Sequence, residues 1–106
     1  MTQKGVMVVR SNCTDPAREE EFRSWYRNIH MPDLLETPGI VRARFFESLD
    51  PDSGEARFLA VYEIEGDPEA VVGERKVRSP ALRAQGRVID CIKAVTSETW
   101  RLIAEK

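Results

Sequence analysis

Two stretches of β-type sequence stand back to back in the middle of this chain, Ile40–Ser48 (IVRARFFES) and Arg57–Ile64 (RFLAVYEI), joined by the turn-rich segment DPDSGE. Successive side chains in a strand point to opposite faces. Alternation in the first stretch therefore predicts Val41, Ala43 and Phe45 on one side and Ile40, Arg42, Arg44 and Phe46 on the other. Asp, Pro, Ser and Gly supply turn chemistry, so Asp50–Glu55 reads as a hairpin turn. With an antiparallel hairpin at its centre, the chain has to build the rest of its fold around one sheet.

The flanks say how. Gly5–Asn12 (GVMVVRSN) is a short β-branched run that stops at Asn-Cys-Thr-Asp-Pro, a strand feeding a turn. Asp15 is placed to cap a helix with Pro16 at its first position, and Glu19, Glu20 and Glu21 suit the positive end of the helix dipole. Phe22, Trp25, Tyr26 and Ile29 recur at i, i+3, i+4 and i+7, one apolar face of a helix. Pro32 disfavours helical geometry at Met31, so this helix is predicted to end near His30 or Met31, with a short extra turn through Leu35 before Thr-Pro-Gly. Asp67 caps a further helix opening at Pro68. The Ser79-Pro80 pair is read as interrupting it, with the apolar face resuming in Ala81, Leu82, Val88, Ile89 and Ile92 and extending through Cys91. Val95–Ala104 reads as the last strand.

The order βα, ββ, αβ over residues 1–106 predicts a single domain of the α+β class. Its plan is the ferredoxin-like split βαβ: a four-stranded antiparallel sheet with both helices on one face. The FLAVY run is apolar at both alternations, so the other face is expected to be covered by a second sheet, making a homodimer whose sheets pair face to face into a barrel.

Composition removes several classes of function. A formal charge of −2 with interspersed signs leaves no basic stripe for phosphates, which argues against nucleic acid. The apolar run near the N-terminus is too short for a secretory or membrane-spanning segment, so a cytoplasmic protein without membrane contact is expected. Cys13 and Cys91 have no CxxC spacing and are expected as two reduced thiols. With one histidine they do not make a zinc ligand set, and no metal is expected. There is no GxGxxG or GxxxxGK[ST] loop, and no cofactor is called for.

The single histidine draws attention to WYRNIHMPDLLETPGI. An unperturbed imidazole titrates near neutrality, so His30 is able to take or give a proton. A helix C-terminus and nearby Asp33 would favour its charged form, and burial the neutral one. Its structural alternative is a cap bonding a helix-end carbonyl. Tyr26, one turn earlier, is either a hydrogen-bond partner for substrate or imidazole, or simply core. His30 and Tyr26 form the candidate catalytic pair. Asn12, Trp25, Asp33, Arg44 and Phe46 form the candidate substrate-binding set. For Asn12 the alternative is a local turn bond, for Asp33 a turn cap instead of a hold on the imidazole, and for Arg44 with Arg42 a solvated or interface edge instead of a carboxylate clamp. Ser11 and Ser97 have no activating sequence neighbours, so a serine nucleophile is not supported.

The helix end WYRNIHMPDLLETPGI, the RARFFE strand, FLAVYEIEG and the closing SPALRAQGRVIDCI and TSETWRLI resemble the EthD-like branch of the dimeric α+β barrel superfamily over nearly the whole chain. The resemblance implies a flat, apolar, oxygenated small molecule held between sheet and helices. It points to cofactor-independent cyclisation, dehydration, decarboxylation or isomerisation of an aromatic or polyketide-like substrate by His-mediated proton transfer. Alternatives within the same superfamily are a non-catalytic dimer that binds an apolar metabolite, a haem-handling protein and a quinone-forming monooxygenase, because fold alone does not fix function.

Overall fold

The computed structural model describes residues 3–50 and 56–106. Four strands, β1 (Lys4–Cys13), β2 (Ile40–Glu47), β3 (Phe58–Glu65) and β4 (Ile92–Arg101), form one sheet in the order β2-β3-β1-β4. Every neighbouring pair is antiparallel. The helical segments α1 (Glu19–Trp25), α2 (Met31–Leu35) and α3 (Pro68–Ala84) supply the two crossovers, and their apolar sides cover one face. This is the α+β ferredoxin-like plan. Its core lies between helices and sheet, where Phe58, Ala60, Tyr62 and Ile64 of β3 alternate inward beneath Phe22, Trp25, Tyr26, Leu34, Val71 and Val72. The proposed turn at Asp50–Glu55 lies, from 51 to 55, outside the described residues.

Three expectations are corrected. First, β2 carries a register shift between Ile40 and Arg42: Ile40 pairs with Ile64 and Arg42 with Glu63. The extra residue resets the alternation. Ile40, not Val41, therefore joins Ala43 and Phe45 on the core side, buried at 4%, while Val41 is 53% exposed.

Second, the first helix does not stop at His30. A π turn, Tyr26–His30, joins α1 to α2. The Met31 N–H donates to the Tyr26 carbonyl five residues back instead of four. A proline ring collides with the carbonyl four residues before it in a regular helix and brings no N–H of its own. The widened turn just ahead of Pro32 lets the helix pass that obstacle, and the extra turn through Leu35 is its continuation.

Third, α3 runs unbroken through Pro80 to Ala84. Lys76, whose carbonyl Pro80 leaves without a partner, is exposed on the solvent side, so water can satisfy it. The helix then ends before Val88: Gly86 takes φ +71°, Arg87 N–H donates to Leu82 O (3.0 Å) and Gly86 N–H to Arg83 O (3.1 Å). That is the glycine-closed Schellman ending. Val88 and Ile89 pack on the core from a non-helical segment, and Ile92 opens β4, three residues earlier than expected.

The outer face of the sheet is mixed. Phe46 (45% exposed) and Trp100 (56%) lie there beside half-buried Leu59 and Val61. Among the described residues no helix is long and apolar enough to cross a membrane.

Candidate active site

The π turn determines what His30 touches. Bonding to the fifth residue back brings positions five apart onto the same side of the helix. His30 accordingly stacks on Trp25, with ring centroids 4.5 Å apart and planes at 20°. Tyr26, four residues away, meets the imidazole edge-on at 5.0 Å and 86°. Trp25 is fixed in turn, because its Nε1 donates to the Arg87 carbonyl at 2.8 Å. Tyr26 is fully buried and stacks on Phe45 at 4.1 Å.

Burial pushes the His30 pKa down to about 4, the positive charge of Arg75 pushes the same way, and Asp33 opposes them. His30 is therefore a neutral imidazole at neutral pH. The helix-end argument for the charged form fails because the helix continues to Leu35. Asp33 neither caps the turn nor grips the imidazole. Its carboxylate receives Arg87 through two bonds, Nε to Oδ2 at 2.7 Å and Nη2 to Oδ1 at 2.9 Å. That pairing leaves Asp33 little charge to offer His30.

The Tyr26 hydroxyl has two neighbours that the sequence did not join to it, the hydroxyls of Ser11 and Tyr62. Ser11 Oγ, Tyr26 Oη and Tyr62 Oη are all buried without a hydrogen-bond partner. They are near enough for the Ser11 and Tyr62 hydroxyls to pull on the ionisation of Tyr26, yet none makes a well-aligned bond to another. Burial raises the pKa of Tyr26, and that of Tyr62 well above the ordinary value, so both stay protonated. Arg75 acts on all three titrating groups, His30, Tyr26 and Tyr62. It sits one turn beyond buried Val71 and Val72, on the sheet-facing side of α3. Among the described residues no carboxylate forms an ion pair with it. The signal was present in the sequence: Arg75 is i+4 and i+3 from those two valines, although the run GERKVR reads as a solvated face.

The candidate residues thus divide. Trp25, Tyr26, His30 and Asp33 come together under the helices. Asn12 does not join them; its Oδ1 accepts the Arg57 backbone N–H at 2.7 Å, tying the end of β1 to the start of β3. Arg44 and Phe46 lie on the outer face with Arg42, which reaches Glu63 at 3.7 Å. A groove of about 420 Å³ runs along Val6, Val41, Glu63, Trp100 and Leu102, and none of the residues around His30 lines it. Among the described residues no group of three or more His, Cys, Asp or Glu side chains is placed to hold a metal. The two thiols, far apart in sequence, meet at the end of β1 with Sγ atoms 3.5 Å apart.

No protein-family model matches the chain, and no curated protein matches it in sequence. Solved structures do. HapK from Hahella chejuensis is 15% identical, with a TM-score of 0.70 over 100% of this chain and 96% of that one. A proposed monooxygenase from Shewanella loihica PV-4 is 16% identical, with a TM-score of 0.63 over 99% of both chains. At such identities the likeness is one of fold: the whole chain shares the α+β architecture of these proteins.

Proposed function

We propose that this protein is a cofactor-independent enzyme that moves a proton on a small aromatic or polyketide-like molecule, with neutral His30 as the base and Tyr26 as a hydrogen-bond donor to the substrate. The observation that carries this reading is the imidazole itself, held neutral by burial and oriented between Trp25 and Tyr26. Among the described residues no protein group bonds to its ring nitrogens, which leaves them available to a ligand. A base of this kind contributes roughly 10² to 10⁴ in rate.

The test is α-hydrogen exchange in D2O. The protein is incubated with a panel of aryl ketones and aryl 1,3-diketones, and deuterium uptake is read by mass spectrometry. Catalysed exchange that His30→Gln loses by roughly a hundredfold or more supports the reading. Exchange equally fast in that variant would refute it.

Membership of the EthD-like branch belongs to this proposal, as does a homodimer through the outer sheet face. In such a dimer Arg44, Phe46 and Trp100 would meet the second copy instead of the substrate. Their exposure on one face supports that pairing. A sedimentation-velocity monomer at micromolar concentration would contradict it. A second reading, oxidation of a phenol to a quinone, takes its support from the name of the Shewanella protein. It would begin with the same proton abstraction, and consumption of O2 by the protein with a phenolic substrate distinguishes it.

A further inference from the structure

We infer that the hydroxyls of Ser11, Tyr26 and Tyr62, together with Arg75, form a receptor for an ionised oxygen, so that the substrate is a planar molecule that forms an enolate or phenolate beside His30. This rests on the proton-transfer reading and names its substrate class. The three hydroxyls come from three different elements, β1, the π turn and β3, and all three residues are fully buried. None makes a bond of ordinary geometry, although Ser11 and Tyr62 are close enough to act on Tyr26, and buried polar atoms are ordinarily well bonded to protein, water or ligand. A hydroxyl left without a well-aligned bond inside a fold recovers little of the cost of its desolvation. Three in one place describe a site that a polar atom completes.

The sign of that atom follows from what surrounds it. The phenols of Tyr26 and Tyr62 are protonated and can donate. Arg75 contributes a fixed positive charge that no carboxylate among the described residues neutralises, whereas Asp33, the carboxylate that acts on His30, is paired with Arg87. Donors and a cation, without a competing anion, favour an oxygen carrying negative charge. The surrounding rings, Trp25 stacked on His30 and Phe45 stacked on Tyr26, make the neighbourhood aromatic, which suits a planar molecule.

The chemistry balances without a further reagent. A C–H bond next to a carbonyl breaks and its proton passes to a neutral ring nitrogen of His30. The bonding pair becomes the new C=C, and the carbonyl π pair moves onto oxygen, where the hydroxyls and Arg75 receive it. For a phenol, the O–H proton makes the same journey and the oxygen keeps the pair.

The experiment uses 4-nitrophenol, whose phenolate absorbs in the visible, and its neutral methyl ether, 4-nitroanisole. The expected result is that bound 4-nitrophenol is ionised at a pH where the free phenol is not, and binds at least about tenfold more tightly than the ether. Arg75→Gln and Tyr62→Phe should each lose most of that preference with the urea midpoint unchanged or raised. Binding as the neutral phenol, equal affinity for the ether, or a preference intact in Arg75→Gln would overturn the inference. His30→Gln separates the two claims. If it keeps the phenolate preference but loses deuterium exchange, both stand. If it loses exchange while the wild type shows no phenolate preference, the receptor falls alone. If the preference holds and exchange survives in the variant, the proton-transfer reading falls alone.

Discussion

Lowering the pH should destabilise this protein through His30. Its folded-state pKa, about 4, lies below the ordinary value of 6.5. The unfolded chain therefore binds more protons than the native one across that interval, and stability must fall with pH. The contribution is fully present above the unfolded pKa of about 6.5 and is lost as pH falls toward the folded pKa. Displacing a pKa by one pH unit corresponds to about 1.4 kcal/mol, so the whole effect is on the order of 3 kcal/mol. About 2 kcal/mol of it should disappear between pH 7 and pH 5. The carboxylates held low by arginine partners, Glu21, Glu47 and Asp90, lose their contribution at lower pH, below the ordinary carboxylate range. Urea unfolding at half-unit steps of pH, for the wild type and His30→Gln, isolates the histidine. The wild type should lose about 2 kcal/mol over that range relative to the variant. Parallel curves would mean that His30 is not buried as a neutral ring, and the reasoning about its role as a base would fail with it.

Other consequences are testable in the same way. Arg87→Gln frees the Asp33 carboxylate beside the imidazole, and the His30 pKa should move up toward its ordinary value; an unchanged titration would show that the Asp33–Arg87 pair does not shape the site. Gly39 has φ +98°, and a Cβ there would come within 2.5 Å of Val71 Cγ2. Gly39→Ala should accordingly destabilise by about 2–3 kcal/mol, and a loss under about 1 kcal/mol in urea would contradict the geometry. Cys13 and Cys91, with Sγ atoms 3.5 Å apart across 78 residues of chain, should close a disulfide under diamide, which is reduced as the thiols are oxidised. Closing so long a loop should stabilise by about 2–4 kcal/mol, reversed by dithiothreitol and absent in Cys91→Ala; two free thiols by mass after treatment would refute it.

The order of strands and helices was legible because each segment announces its own period, and the hairpin between them leaves few topologies for the flanks. What was not legible depended on single residues acting against a pattern. Val41 is apolar and β-branched and reads as inward, but a bulge, which binary patterning does not encode, turns it out. Pro32 reads as a stop because the rule for prolines assumes regular helical turns, and the π turn evades it. Val88 and Ile89 continue an apparent helical face past Gly86, whose left-handed conformation ends the helix. There the cap residue, visible in the sequence, outweighs the period.

The site divides along the same line. Trp25, Tyr26 and His30 lie in one helical run, so their proximity is a local property and could be read from spacing. Ser11, Tyr62 and Arg75 come from β1, β3 and α3 and meet only when the sheet is assembled. Asn12, Arg44 and Phe46 carry suitable chemistry but stand elsewhere: Asn12 is committed to Arg57, and the other two are on the far face of the sheet.

The most direct test is the titration of the single imidazole by NMR in histidine-labelled protein, free and saturated with 4-nitrophenol. The account expects a pKa near 4 in the free protein, rising when the anionic ligand binds beside the ring. A pKa near 6.5, indifferent to a ligand that shifts other resonances, would place His30 outside the site and contradict the account.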